Sequence, residues 1–297
     1  MFPLSHTQTF GVTIDRQIIA LLLTVELAPE LPQNLLVQNL PPLLHVLFLN
    51  MDRTSEVLYT SCKTLLANLI HKLVSRDTSA YPIQDAARTT IAMLTADDDT
   101  SLWSKEDLNL DVKILQPLES SLLLGTLVKQ HVHIHTIPSF PTQVIFLLSP
   151  ICHKLVEHWS SVAHVWAVSC TSSDHASRSL QTLRALGLSL NGQVLVDFFE
   201  RLVHCVLEEE KKPQAFVGEV FLTFRCFIED LSPNGLASFP QLAWCFVILL
   251  ACNSEDEWRH AAQLLDLCAT RISFEQIRPA VIDMAKKWPQ FPGVHSL

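Results

Sequence analysis

The sequence predicts an all-α protein, an α-solenoid of stacked helical hairpins, and three observations carry that prediction. Apolar residues recur three and four apart, as in Leu180, Leu183 and Leu186 and again in Phe198, Phe199, Leu202, Val203 and Val206, which is the period of one helical face. Prolines fall between such stretches, at Pro29, Pro32, Pro41, Pro42, Pro138, Pro141, Pro213, Pro233 and Pro240. There each can end one helix or sit in the first turn of the next. The 297 residues include only 7 glycines, about a third of ordinary usage, so the positive-φ turns that tight hairpins and phosphate-cradling loops need are scarce. β-rich folds and nucleotide pockets are disfavoured together.

In chain order, the first helix is expected over 14–27, where RQIIALLLTVELA (16–28) puts apolar side chains on almost every face. An end of that kind needs cover, so the isolated chain is expected to be poorly soluble or to oligomerise through it. Helices over 34–50, 54–75 and 82–95 follow by periodicity, and TADDDTSLWSKEDLNLDVK (95–113) is expected as a mobile acidic loop anchored by Trp103. Further helices are expected over 117–135, 140–169, 174–187, 191–209, 213–230, 236–251, 254–271 and 274–288, with the tail fraying after Trp288. The whole of 1–297 reads as a single helical-repeat region.

The repeat lies in three polar signals that each open an amphipathic helix: SSDHASRSLQTLRAL from Ser172, KKPQAFVGEVFLTF from Lys211 and NSEDEWRHAAQLLDL from Asn253. His175, Pro213 and Glu255, taken as equivalent points, are spaced by 38 and 42 residues, and Thr54 precedes His175 by 121, close to three more periods. That is the period of HEAT or armadillo-like helical pairs, which leave an extended face open to protein partners.

Composition narrows the function classes. Hydrophobic residues make up 48% and charged residues 17%, enough apolar content for a large core. The 21 Lys+Arg against 30 Asp+Glu give a net charge of −9 with no basic stripe, which argues against nucleic acid. The eight cysteines sit in apolar runs without a CxxC pair and read as reduced core residues of an intracellular protein. FPQLAWCFVILLAC (239–252) is shorter than the ~20 residues of a membrane span. IIALLLTV (18–25) runs into Glu26 without a small-residue cleavage site. Neither span nor signal peptide is expected.

Candidate chemistry is sparse. In LVKQHVHIHT (127–136) a helix would bring His131 and His135 to one face and turn His133 away. Two such histidines can begin a zinc site, but no acidic residue lies within ten positions of His133, and only Cys152 and His153 offer themselves through the fold. No metal and no cofactor is expected. His204 and Cys205 are neighbours, whose side chains diverge on a helix and cannot form a proton-transfer dyad. GxSxG, P-loop and GxGxxG are absent. EEEKK (208–212) reads as a solvated turn with a partner contact as the alternative, and Trp244 and Trp258 are expected in the core. Were either tryptophan exposed it would serve as a binding anchor, Trp258 above all because Arg259 adjoins it in a polar helix start.

LPPLLHVLFLNMD (40–52), VLYTSCKTLLANLIHKL (57–73), HASRSLQTLRAL (175–186) and LACNSEDEWRHAAQLLDL (250–267) together resemble the furry family of cell-morphogenesis proteins. The resemblance covers about residues 12 to 275 and includes no catalytic motif, so it carries over no site residue. It implies a very large, non-enzymatic helical-repeat scaffold working with NDR-class kinases and their Mob coactivators, with microtubules as a further partner, in polarised growth and cell shape. The implied location is the cytoplasm, at the cell cortex or sites of polarised growth. The expected function is therefore a non-catalytic scaffold module of a furry-like protein. The alternatives are a generic HEAT-type adaptor with unrelated partners and, from another class, a metal-dependent or cysteine hydrolase on a helical fold.

Overall fold

A computed structural model describes residues 16–51, 55–74, 81–95, 140–187, 189–207, 214–250 and 255–287. Among these residues every regular element is a helix and no strand occurs. The chain divides into two compact units, residues 1–162 and 163–297.

The first unit opens with α1 (Arg16–Leu27), a 3₁₀ turn (Ala28–Glu30) and α2 (Gln33–Gln38), with Pro29 and Pro32 placed at the junctions. The sequence period suggests one helix over 34–50, but the chain breaks at Asn39 and restarts as α3 (Leu40–Asn50) with proline in its first turn. Pro41 and Pro42 lack the N–H groups that would continue the ladder. Asn39 and Asn50 each turn a side-chain amide back onto the carbonyl four residues earlier, at 2.8 Å in both cases, and satisfy an orphan acceptor at a helix end. The long α4 (Glu56–Val74) packs against α1, α3, α5 (Tyr81–Thr95) and α6 (Phe140–Leu148). Its inward residues Cys62, Leu65, Leu66, Leu69, Ile70 and Leu73 are fully buried, as the three- and four-residue spacing requires. Lys72 on α4 donates to the Leu31 carbonyl at 2.6 Å and ties down the α1–α2 connection.

The helix expected over 140–169 is two helices. Pro150 follows Ser149, and Lys154 takes φ +59, a left-handed turn residue, before α7 (Leu155–Ser169) begins. Trp159 in the first half of α7 is buried edge-on to Phe48 of α3, 5.0 Å between centroids.

The second unit contains α8 (Ser173–Leu186), α9 (Gly192–Leu207), α10 (Gln214–Asp230), α11 (Pro233–Ala237), α12 (Pro240–Leu249), α13 (Glu255–Arg271) and α14 (Phe274–Lys287). The expected 236–251 helix is split before Pro240 for the same reason as the break at Asn39. Phe224 of α10 is the hub of the core. It stacks on Phe199 at 5.4 Å and meets Phe198 and Phe246 edge-on at 6.0 and 5.7 Å, joining α9, α10 and α12.

The three helices with the polar openings pack in succession, α8 against α10 and α10 against α13. On α10, Glu219 and Thr223 contact α8 whereas Phe221 stacks on His260 of α13 at 5.1 Å. At ~100° per residue those two contact sets lie on opposite sides of the helix. Helix α10 is thus sandwiched between its neighbours, and the three form a row.

Residues 96–113 of the expected acidic loop, the helix expected over 117–135 and the tail after Trp288 lie outside the described residues.

Candidate protein-interaction surface

Several polar groups in the second unit fasten helix to helix. Arg184 Nη2 pairs with Glu219 Oε2 at 2.6 Å, and its Nη1 donates to Thr223 Oγ1 at 3.0 Å and to the Glu219 carbonyl at 3.2 Å. Gln181 adds a bond to the other Glu219 oxygen at 2.8 Å. The arginine side chain is 2% exposed and the glutamate 21%, so the pair works at reduced dielectric and its many hydrogen bonds offset the desolvation. Two further arginines close helix ends. Arg271 of α13 donates to the Glu229 and Leu231 carbonyls at 3.0 and 2.7 Å, and Arg201 of α9 donates to the Cys170 carbonyl at 2.8 Å while lying over the Phe216 ring at 4.8 Å. These are orphan acceptors at the ends of α10 and α7. Every group named here is engaged across a helix boundary, and the arrangement holds register.

The individual candidates fall in different places. His131, His133 and His135, with EEEKK at 208–212 and Trp103, lie outside the described residues. Cys152 is buried, its thiol directed at the Val37 carbonyl 3.7 Å away and pushed up by burial, while His153 beside it is exposed. Burial likewise pushes the Cys268 thiol up to about 11. His204 is exposed, and the Cys205 side chain is not among those described. Ser172 caps α8, its Oγ accepting from the His175 N–H at 3.4 Å. Among the described residues no group of three or more His, Cys, Asp or Glu could hold a metal ion, and no helix is long and apolar enough to cross a membrane.

One ionisable contact gives a pH signature. His164 of α7 lies 3.3 Å from Asp197 of α9 with its side chain 13% exposed, and stacks at a tilt on Phe198. Burial lowers its pKa below the ordinary 6.5, against an opposing pull from the Asp197 carboxylate. The unfolded chain therefore binds the proton more readily, and the contribution of His164 to stability, present above pH ~6.5, is lost as the pH falls below it. Urea unfolding at pH 7.5 and 5.5 is expected to show a drop in midpoint that His164→Gln reduces; an identical pH dependence in the variant would contradict this.

Several large apolar side chains remain exposed. In the first unit Leu23 and Leu27 of α1 are 56% and 59% exposed, followed by Leu31 and Leu35 at the same four-residue step. Changing Leu23 and Leu27 to glutamate is expected to suppress self-association in sedimentation velocity, and a monodisperse wild-type monomer would refute the expectation. In the second unit Val196 and Val203 stand out from one face of α9, and Trp258 of α13 is exposed. Of the two tryptophans expected in the core, Trp244 is half-buried and Trp258 is exposed. It sits in the first turn of α13 on a face turned away from α10, where burial of Glu257, Ala261, Leu264 and Cys268 fixes the inward side. Arg259 beside it bonds Glu255 at 2.6 Å and Asp256 at 3.2 Å, a solvated cluster of small energetic weight.

The family model for the cell morphogenesis central region matches residues 4–214. The chain is 22% identical over 273 residues to the cell polarity protein mor2 of Schizosaccharomyces pombe, an alignment covering 92% of this chain and 11% of that protein. It is 23% identical over 237 residues to the cell morphogenesis protein PAG1 of Saccharomyces cerevisiae, covering 80% and 9% respectively. The chain thus spans about a tenth of the length of these curated relatives. No solved structure matches.

Proposed function

The chain belongs to the furry family of cell-morphogenesis proteins, and from that membership we propose that it is a non-catalytic scaffold module supporting NDR-class kinase signalling in polarised growth and cell shape. The supporting observation is the row formed by α8, α10 and α13, joined by the buried Arg184–Glu219 pair and the Arg271 bonds to the end of α10, with apolar side chains such as Trp258 left outside. A row of this kind is how stacked helical pairs build an extended protein-binding surface. The module acts by position: it holds a kinase beside its Mob coactivator and raises their effective concentration. The site of action is the cytoplasm, at the cortex or at growing ends, with microtubules as a further partner.

Affinity purification from cell extract of the protein carrying this chain is expected to recover an NDR-class kinase together with its Mob coactivator. Recovery of an unrelated assembly alone would overturn the kinase assignment in favour of a general helical-repeat adaptor.

A further inference from the structure

The row α8–α10–α13 gives α13 two sides. One faces α10 through His260, stacked on Phe221, and Arg271, bonded to the end of α10. The other carries Trp258, Ala262, Leu265 and Ala269, which follow one another by four, three and four residues and so share a face. At ~100° per residue this face lies roughly 160° from the side held by His260 and Arg271. It is the position a further helix would take if the row continued in the same direction.

Its surface has the character of a helix-docking face. Trp258 is 47% exposed and Ala269 is exposed, while Ala262 is half-buried and Leu265, also half-buried, leans on the core and fixes the inner edge of the face. The two alanines leave shallow depressions beside larger side chains, which lets another helix approach to the ~8–10 Å of ordinary helix packing. Charge defines the visitor further. Glu255 and Asp266 border the row on one side, Asp256 stands nearby, and Arg259 is the cation among them, already bonded to Glu255 and Asp256. Three carboxylates against one guanidinium favour cations on the incoming side, and the exposed indole face is itself a cation acceptor.

We propose that the Trp258 face of α13 docks an amphipathic helix of another protein, with an apolar row flanked by lysine or arginine. Trp258 is the anchor, Ala262, Leu265 and Ala269 form the seat, and Glu255 and Asp266 choose the charge of the flank. The inference is independent of whether that protein is a kinase.

Two designed helical peptides with the same leucine row, one flanked by lysine and one by glutamate, test it by fluorescence anisotropy against the full chain. The lysine peptide is expected to bind at least about tenfold more tightly, and Trp258→Ala to weaken it by about tenfold or more, within the range of an aromatic hot spot. Val203→Ala on α9 should leave it unchanged. The double change Glu255→Lys and Asp266→Lys should reverse the preference between the peptides, a readout that stands even if Trp258→Ala disturbs folding. Equal binding of both peptides, no response to the charge reversal, or a self-association of the chain that Trp258→Ala abolishes would each overturn the proposal, the last because the occupant would then be a second copy.

Discussion

Phe224→Ala is expected to destabilise the second unit by about 3–5 kcal/mol, the range for deleting a fully enclosed aromatic ring. Phe224 has no solvent exposure and its ring touches Phe198, Phe199 and Phe246 from two other helices. Removing it opens a void that no single neighbour can fill, because each of those rings is held by its own contacts. Phe224→Leu keeps most of the volume and should cost less than half as much. Urea unfolding followed by circular dichroism measures both. A loss below ~1 kcal/mol for the alanine variant would mean that the ring is not the centre of this core.

Arg184→Ala should cost about 2–4 kcal/mol, slightly below the figure for breaking a fully buried ion pair, because Glu219 is 21% exposed and water can partly replace the guanidinium. The damage comes from what remains: a carboxylate that keeps only Gln181, and a Thr223 hydroxyl without its donor. The double variant Arg184→Met, Glu219→Leu removes both charges and should recover a substantial part of the loss, giving a coupling energy in a double-mutant cycle. Arg184→Lys should fail to rescue, since an ammonium cannot reach Glu219 and Thr223 with the same planar fork. Additive single and double effects would show that the two side chains do not act as a pair.

The helices were legible because burial of one face leaves a local trace. Leu180, Leu183 and Leu186 are spaced for a helix and are buried as one, and the openings at Ser172, Lys211 and Asn253 do precede the three helices of the row. Local signals also misled where two of them competed. The apolar run through 140–169 is periodic enough for one helix, yet Pro150 and the left-handed Lys154 interrupt it, and a short helix over Pro233–Ala237 is cut off by Pro240 in the same way. Long-range pairings left no trace at all. Nothing in the residues around Arg184 indicates that it bonds to Glu219, 35 positions on, or that Arg271 closes the end of α10. Trp258 was misplaced for a related reason: an aromatic residue in an amphipathic helix defaults to the core, and only the side on which α10 packs shows that this one points away. The family, by contrast, was readable in the order of several packing segments, none of which carries chemistry.

The buried sulfur atoms offer a practical use. Burial pushes the Cys268 thiol up to about 11 and shuts it off from solvent, so an alkylating reagent meets almost no thiolate there while α13 stays packed. Modification at that position therefore times how often the helix row comes apart, and the same experiment repeated with a docked partner would report how firmly that partner clamps it shut.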